Sequence, residues 1–390
     1  MIDASDVTVI VPAYNVAEYL EECLGSIVDH GGRAAQIIVI DDGSTDGTRE
    51  VALTCQRANA NITVEATVNG GQSAARNLGL RMARTGFVTF VDADDMIAPD
   101  GLSMLFAAAE PDIDITFSNR HRFDNYHRAQ PRLAYRNLSR VSPAALPLPG
   151  ILAIHGKLFR RAFLVEHDFF FPEGMVYEDV PFSLSTMLKA ERVSSIAAVT
   201  YLWRTRAGPN RSTTQMRIAR RTLEGRMRQI EMTLEIERSA AWQERFGPTK
   251  LHKLVFDRYM LSHVEAMQRA KDEAAIRRAF DLIRPFVLAH RSLIEATVSA
   301  EKRAGYDAIF AGNVNAFLTN IPAPRPARSP ARSSRPTAQV SAVKSVAVKR
   351  AHAGVGALRW KISAAAAAAL AILSEFTEGF AVSDLVAAAF

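Results

Sequence analysis

Asp92 and Asp94 stand two residues apart at the end of an apolar run, in Phe90-Val91-Asp92-Ala93-Asp94-Asp95. Residues at i and i+2 of an extended chain point to the same side, so the two carboxylates can share a ligand. Paired oxygen donors of this kind hold a hard divalent cation, Mg²⁺ or Mn²⁺, which bridges the phosphates of a nucleotide and absorbs leaving-group charge. An isolated Asp-x-Asp also arises as a plain acidic turn, so its surroundings carry the argument. Asp41 and Asp42 close a second apolar run, where they can accept hydrogen bonds from a base N–H or from ribose hydroxyls, and Arg76 can meet phosphate oxygens. Another acidic pair, Glu178-Asp179, directly precedes the helix-like stretch Val180 to Leu188, where it can serve as an N-terminal cap.

The elements that must position these groups alternate. Residues 7 to 12 read as a buried β-branched strand stopped by Pro12, and Tyr19, Leu20, Cys23, Leu24, Ile27 and Val28 recur at helical spacing behind it. Strands over Gln36–Ile40, Ile62–Ala66 and Phe87–Val91 follow, with a helix opened by Ser44 or Thr45 as its cap and another over about Ser73–Ala83. The order β-α-β-α-β-α-β predicts an α/β fold, a mostly parallel Rossmann-like sheet with helices on both faces, whose ligands sit beyond the carboxyl ends of the strands. Polar clusters fall at those ends: Pro12-Ala13-Tyr14-Asn15, Asp41-Asp42, Asn69-Gly70-Gly71 and Asp92-Ala93-Asp94-Asp95. Asp, Asn and Gly also form ordinary turns; four such clusters in succession at one edge read as a binding rim. Beyond Asp95 a strand is expected at Ile113–Phe117, then an irregular polar stretch over Ser118–Arg140, and residues 156 to 203 as a second part of the same domain.

At these positions the chain resembles glycosyltransferase family 2, the inverting enzymes of the GT-A fold. The resemblance rests on Val9-Ile10-Val11-Pro12-Ala13-Tyr14-Asn15, on Tyr19-Leu20-Glu21-Glu22-Cys23-Leu24-Gly25-Ser26-Ile27, and on Ile38-Val39-Ile40-Asp41-Asp42-Gly43-Ser44-Thr45-Asp46-Gly47. It continues through Asn69-Gly70-Gly71-Gln72-Ser73-Ala74-Ala75-Arg76-Asn77-Leu78-Gly79, the Asp92–Asp95 cluster and Tyr177-Glu178-Asp179, and spans about residues 7 to 212. It implies a nucleotide-binding set of Pro12, Ala13, Tyr14, Asn15, Asp41, Asp42, Asn69, Gly71, Arg76, Asp92 and Ala93, with Asp94 as the direct ligand of Mn²⁺ or Mg²⁺. It further implies that Glu178 and Asp179 are the catalytic acidic pair, with Asp179 the general base that deprotonates an acceptor hydroxyl. An inverting displacement needs a base on the acceptor side and a charge sink on the leaving-group side, and a carboxylate and a metal meet that need. Lys157 resembles a family lysine, although Ile154-His155-Gly156 departs from the usual spelling before it, and His155 reads equally as a packed residue. Arg204, Arg206, Arg211 and Ser212 resemble a loop that closes over the diphosphate, with a solvated strand face as the alternative for Arg204 and Arg206. Cys23 and Phe169-Phe170-Phe171 read as core.

The resemblance implies a nucleotide-sugar donor, UDP-linked, and a glycan or wall-polymer acceptor of the teichoic-acid kind. The competing reading is a non-catalytic nucleotide-sugar-binding scaffold at a membrane surface; nucleotidyl transfer would want a Gly-rich loop with an activating Lys near residue 12, which is missing. Composition limits the rest. With 48% hydrophobic and 23% charged residues the chain is ordinary globular protein, and two cysteines build neither a disulfide framework nor a cysteine zinc site. Nine basic residues over 321 to 361 face no acid, so the net charge of +6 resides in the last seventy residues and residues 1 to 320 are neutral. That removes the case for a nucleic-acid partner of the main domain. The expected division is a GT-A domain over 1–214, a helical region over 215–320 that binds acceptor or a second subunit as a homo-oligomer, a Pro/Arg/Ser-rich linker over 321–336, and a basic Ala-rich tail over 337–390. That tail is either a solubilising segment or a peripheral contact with an anionic membrane. The acidic Met1–Asp6 lacks the features of a signal peptide and the apolar run Ala364–Leu373 is too short to span a bilayer, so a cytoplasmic protein, peripheral at most to the inner face of the membrane, is expected.

Overall fold

A computed structural model describes residues 6–30, 36–124, 130–132, 135–147, 152–206, 212 and 215–319. The linker and tail expected over 321–390, and Arg211, lie outside the described residues. Strands β1 (Val7–Ala13), β2 (Gln36–Asp41), β3 (Ile62–Ala66) and β4 (Phe87–Phe90) run parallel in the order β3-β2-β1-β4. Every residue of β1 is buried, because helices cover both of its faces. Its side chains alternate. Ile10 packs with Ile38, Ile40, Ala75 and Phe90 on one face, while Val7, Val9 and Val11 pack with Leu20, Cys23 and Leu24 on the other. The helices behind these residues are α1 (Ala17–His30), α2 (Thr48–Ala58), α3 (Gln72–Met82) and α4 (Gly101–Ala107).

The second half of the sheet is mixed. The strands β5 (Met96–Ile97), β6 (Ile115–Asp124), β7 (Gln130–Arg132), β8 (Leu138–Val141), β9 (Lys157–Arg160) and β10 (Val193–Thr205) complete ten strands in the order β3-β2-β1-β4-β9-β6-β10-β5, with β7 on β6 and β8 on β10. β9 is antiparallel to both neighbours, and β6 and β10 pair in parallel. The stretch 118–140, expected to be irregular, instead extends β6 and forms β7 and β8. Its polar side chains hide the strand signal because their hydrogen bonds are met internally: Ser118 Oγ meets Thr200 Oγ1 at 2.5 Å, and Asn119 Nδ2 donates to the Tyr135 carbonyl at 3.0 Å.

The loop after β2 also differs from expectation. Neither Ser44 nor Thr45 caps α2; Asp46 Oδ1 accepts the Thr48 N–H at 2.9 Å, and Asp46 Oδ2 accepts that of Ala17 at 3.2 Å. Ser44 and Thr45 reach across to Asn15, a left-handed residue with φ 49°. Two loops of the carboxyl edge are thereby laced together before any ligand arrives.

α5 (Arg161–Glu166) and α6 (Asp179–Lys189) pack on the α3 face, and the long α7 (Arg220–Arg238) opens the helical region that runs to Thr319. That region has its own core around Leu223, Ile230, Phe256, Phe280 and Tyr306. Trp242 and Leu251 nevertheless belong to the core beneath the sheet. A helix over 251–268 passes through a π-turn at Val255–Met260. Among the described residues no helix is long and apolar enough to cross a membrane.

α3 lies so close to β1 that a Cβ on Gly79 would collide with the Ile10 side chain. Gly79→Ala is expected to lose about 1–3 kcal/mol through this overpacking, despite alanine's better helix propensity, as read from urea unfolding midpoints.

Candidate functional site

The carboxyl ends of β1 to β4 form an open rim. Tyr14 is 47% exposed and Val68 88% exposed, while Pro12 and Ala13 are buried behind them. Asn15, Asn69 and Gly70 are exposed and Gly71 partly so. Asp41 and Asp42, expected to meet a base or ribose, are both 2% exposed and turn inward. Asp42 accepts the Gly70 N–H at 2.8 Å and the Gly71 N–H at 2.9 Å, one on each carboxylate oxygen, and Asp41 accepts from Ser44 N at 3.2 Å. Asp42 shapes the loop before α3 and Asp41 the turn after β2, each through backbone amides, a demand that residue type alone does not reveal.

Arg76 is likewise turned away from the open rim. Its side chain is 2% exposed, with Nη2 2.7 Å from Asp92 Oδ1 and Nη1 2.5 Å from Glu178 Oε1, and the guanidinium lies over the Phe171 ring. Phe171 stacks on Phe182 beneath, as expected of core, while Phe170 is 40% exposed. Burial opposes ionisation of Asp92, but Arg76 and His155 outweigh it and hold the carboxyl far below the ordinary range. Glu178 moves the other way: burial and the charge of Asp179 push it up against the pull of Arg76. The cation therefore favours charge on the sheet side of the pair.

His155 Nε2 stands 3.0 Å from Asp92 Oδ2, its Nδ1 faces Arg120 at 3.3 Å, and its ring lies 4.8 Å from that of Tyr201. The Tyr201 hydroxyl accepts the Asp92 N–H and donates to Asp95 Oδ2 at 2.6 Å. Among the described residues, Asp92, Asp95 and His155 are the group whose donor atoms all lie within 4.8 Å of one another. Two carboxylates and an imidazole fit Mn²⁺ better than Mg²⁺, which prefers oxygen alone, and loading an ion there would replace the His155–Asp92 hydrogen bond. Asp94 stands outside this group, with Oδ2 2.7 Å from Arg206 Nε. Burial pushes its carboxyl up, opposed by Arg206. Ala93 is buried between the two aspartates.

The two remaining arginines divide. Arg204 is not a solvated strand residue: it is 5% exposed, donates Nε to the Asp94 carbonyl and Nη2 to Glu22, and gives its N–H to Asp95 Oδ1 at 2.7 Å. Arg206 pairs with Asp94 and lies over the Tyr19 ring, and Ser212 N donates to Gln215 Oε1.

Glu178 and Asp179 open α6 without capping it, since Glu178 makes no side-chain cap hydrogen bond. Asp179 is partly exposed, and among the described residues its carboxylate makes no hydrogen bond or ion pair. Lys157 lies buried nearby, donating Nζ to Ser183 Oγ at 2.9 Å; burial, aided by Arg120 and opposed by Asp179, pulls its amine down to about 7. The residue before the pair, Tyr177, has φ 67°, and the Arg226 guanidinium of α7 stacks 3.5 Å from its ring centroid. Neither Tyr177 nor Arg226 could be singled out from sequence: a tyrosine carries no sign of a left-handed backbone, and Arg226 reads as one charge among many on an amphipathic helix.

Residues 8–167 match the family described as glycosyl transferase family 2. Glycosyltransferase EpsJ of Bacillus subtilis is 32% identical over 208 residues, 51% of this chain and 60% of that protein. Poly(ribitol-phosphate) beta-N-acetylglucosaminyltransferase TarS of Staphylococcus aureus is 28% identical over 211 residues, 51% of this chain but 35% of its own length. The crystal structure of TarS residues 1–349 in complex with UDP-GlcNAc superposes with a TM-score of 0.59 at 22% identity, covering 80% of this chain and 90% of that one. The mixed sheet with flanking helices is thus of the GT-A kind seen in TarS.

Arg76→Met leaves the buried Glu178 and the partly buried Asp92 without their cation and is expected to cost about 3–5 kcal/mol at pH 7 in urea unfolding. The sign with pH follows from Asp92. Its carboxyl is held low in the fold, so the pairing contributes fully above the unfolded value of about 3.9 and fades as pH falls below it. In the variant the orphaned carboxyls take up protons in mild acid, and its deficit should shrink between pH 7 and about pH 5.

Proposed function

Residues 8–167 form a glycosyl transferase family 2 domain, and from that premise we propose that the chain is an inverting glycosyltransferase that moves a sugar from a UDP-sugar to a hydroxyl of a cell-surface polymer or glycan. One observation carries the reading. Asp92, Asp94, Asp95 and Glu178 each engage a cation, a phenol or a backbone amide, whereas Asp179 keeps its carboxylate clear among the described residues and partly open to solvent. A general base must reach its proton with a free lone pair, and Asp179 is the carboxylate so placed.

In the proposed reaction Asp179 takes the proton of the acceptor hydroxyl. That oxygen bonds to the anomeric carbon as the bond to the nucleoside diphosphate breaks on the opposite face, which inverts the centre. Tyr14, Val68, Asn69 and Gly70 offer the nucleoside an exposed apolar and polar rim. Asp92, Asp95 and His155 would hold a divalent ion, whose chemistry when bound is to neutralise the departing diphosphate. Arg206 and Ser212 border the Asp94 side of the cleft and supply positive charge and a hydroxyl there. The uridine donor and polymer acceptor are supported by TarS, a poly(ribitol-phosphate) transferase with a UDP-GlcNAc complex.

The purified chain, titrated with UDP-, GDP-, CDP- and dTDP-sugars with and without Mn²⁺, is expected to show a metal-dependent rise in melting temperature with a UDP-sugar. Asp179→Asn should keep that rise while turnover falls about 10²–10⁴-fold. Near-normal turnover in Asp179→Asn would overturn the base, and silence toward every donor would overturn the transferase.

A further inference from the structure

Tyr177 is held in a backbone conformation that costs a bulky residue roughly 1–3 kcal/mol unless its surroundings impose it. The surroundings here belong to the helical region. Gly225 of α7 faces Val176 so closely that a Cβ would collide with its side chain and approach its carbonyl oxygen at 3.0 Å and its nitrogen at 3.2 Å. One residue on, the Arg226 guanidinium lies flat against Tyr177, with the Tyr259 ring centroid 4.8 Å away. Nη1 of Arg226 is fixed by Gln229 Oε1 at 2.5 Å, and Nε points to His263 Nε2 at 3.3 Å. That same nitrogen lies 3.4 Å from the Tyr177 hydroxyl, while His263 Nδ1 is held by the Arg217 carbonyl at 2.7 Å. Burial, with Arg226 beside it, pulls the imidazole down to about 3, so His263 is a neutral acceptor in this arrangement.

Arg226 is 6% exposed, and among the described residues no carboxylate forms an ion pair with it. A buried cation without a counter-charge is expensive, and an apolar side chain of similar length would fill the space at no such cost. Burial opposes the Arg226 charge; Tyr177 and Tyr259 support it, and so, more weakly, does Asp179, two residues past the tyrosine that Arg226 clamps. We propose that Arg226 is a positioning residue that seats Asp179 for proton abstraction, acting through Tyr177, so that the helical region shares with the sheet side the task of setting the geometry of the base. The inference rests on Asp179 being the base.

The test uses the full chain, Mn²⁺, and the nucleotide-sugar that shifts its melting temperature in the donor panel, with water as the acceptor. Arg226→Met keeps the packing and drops the charge and the planar stack. Its kcat should fall by roughly 10²-fold, the size expected for a misplacement of about 1 Å, with donor KM unchanged to about twofold. Tyr177→Gly is the second variant: glycine accepts the left-handed backbone without strain, which offsets part of the packing lost with the ring, and kcat should fall by the same factor. Arg226→Lys, which restores charge without the planar stack, should recover only part of the loss.

Wild-type kcat in Tyr177→Gly, or a loss in Arg226→Met that appears only in donor KM, overturns the proposal. Should Arg226→Met fail to fold, Tyr177→Gly decides alone. Asp179→Asn, measured in parallel, separates the two ideas. If it is inactive while Arg226→Met is normal, the positioning role fails and the base stands; if it is active, the base itself fails.

Discussion

Arg76 carries one positive charge between carboxylates that arrive from opposite parts of the chain, Asp92 from the end of β4 and Glu178 from the turn before α6. Both carboxylates are poorly hydrated where they sit, and without the guanidinium their mutual repulsion would drive the turn away from the sheet. The cation must also be delivered accurately. α3 brings it there because Gly79 lets the helix rest on Ile10, because Asp42 fixes the loop that starts the helix, and because Phe171 gives the guanidinium a flat support. Removing any of these would displace the charge rather than delete it.

Around that ion the acidic residues take different tasks. Asp42, Asp95 and Glu178 have their oxygens committed to amides, a phenol or Arg76. Asp92 joins Arg76 to His155 and so connects the helix to β9's approach. Asp179 is left within the field of the basic side chains of Lys157 and Arg226, and among the described residues its own carboxylate forms no ion pair. The division is one of environment and not of residue type, which is how several carboxylates in a small volume acquire separate chemistry.

The first four strands and their edge were legible because a doubly covered parallel strand must be an uninterrupted apolar run, and because the residues that stop it are small and polar. The same logic failed at β6 to β8, where buried serines, threonines and asparagines satisfy one another and erase the apolar signal. The gathering of the site residues at one edge of the sheet was legible, and their wiring was not. Asp42, Arg76 and Arg204 are all at the cleft, yet each is consumed by a partner far away in sequence: Gly70 and Gly71, Glu178, and Glu22. His155 read equally as packing, and only the fold shows it opposite Asp92 and Asp95. Tyr177 was the least accessible of all, because its conformation is imposed by α7 from more than forty residues away.

Because Gly225 leaves no space for a side chain over Val176, the acidic turn and the helical region behave as two halves of one joint. The chain's family match ends at residue 167, before that joint begins. A lineage can therefore remodel the rim at the carboxyl ends of β1 to β4 by point changes that leave the joint untouched. Its helical half cannot be traded for another by recombination at the 206–220 connection unless the incoming helix also presents a gap and a flat cation at the same two consecutive positions.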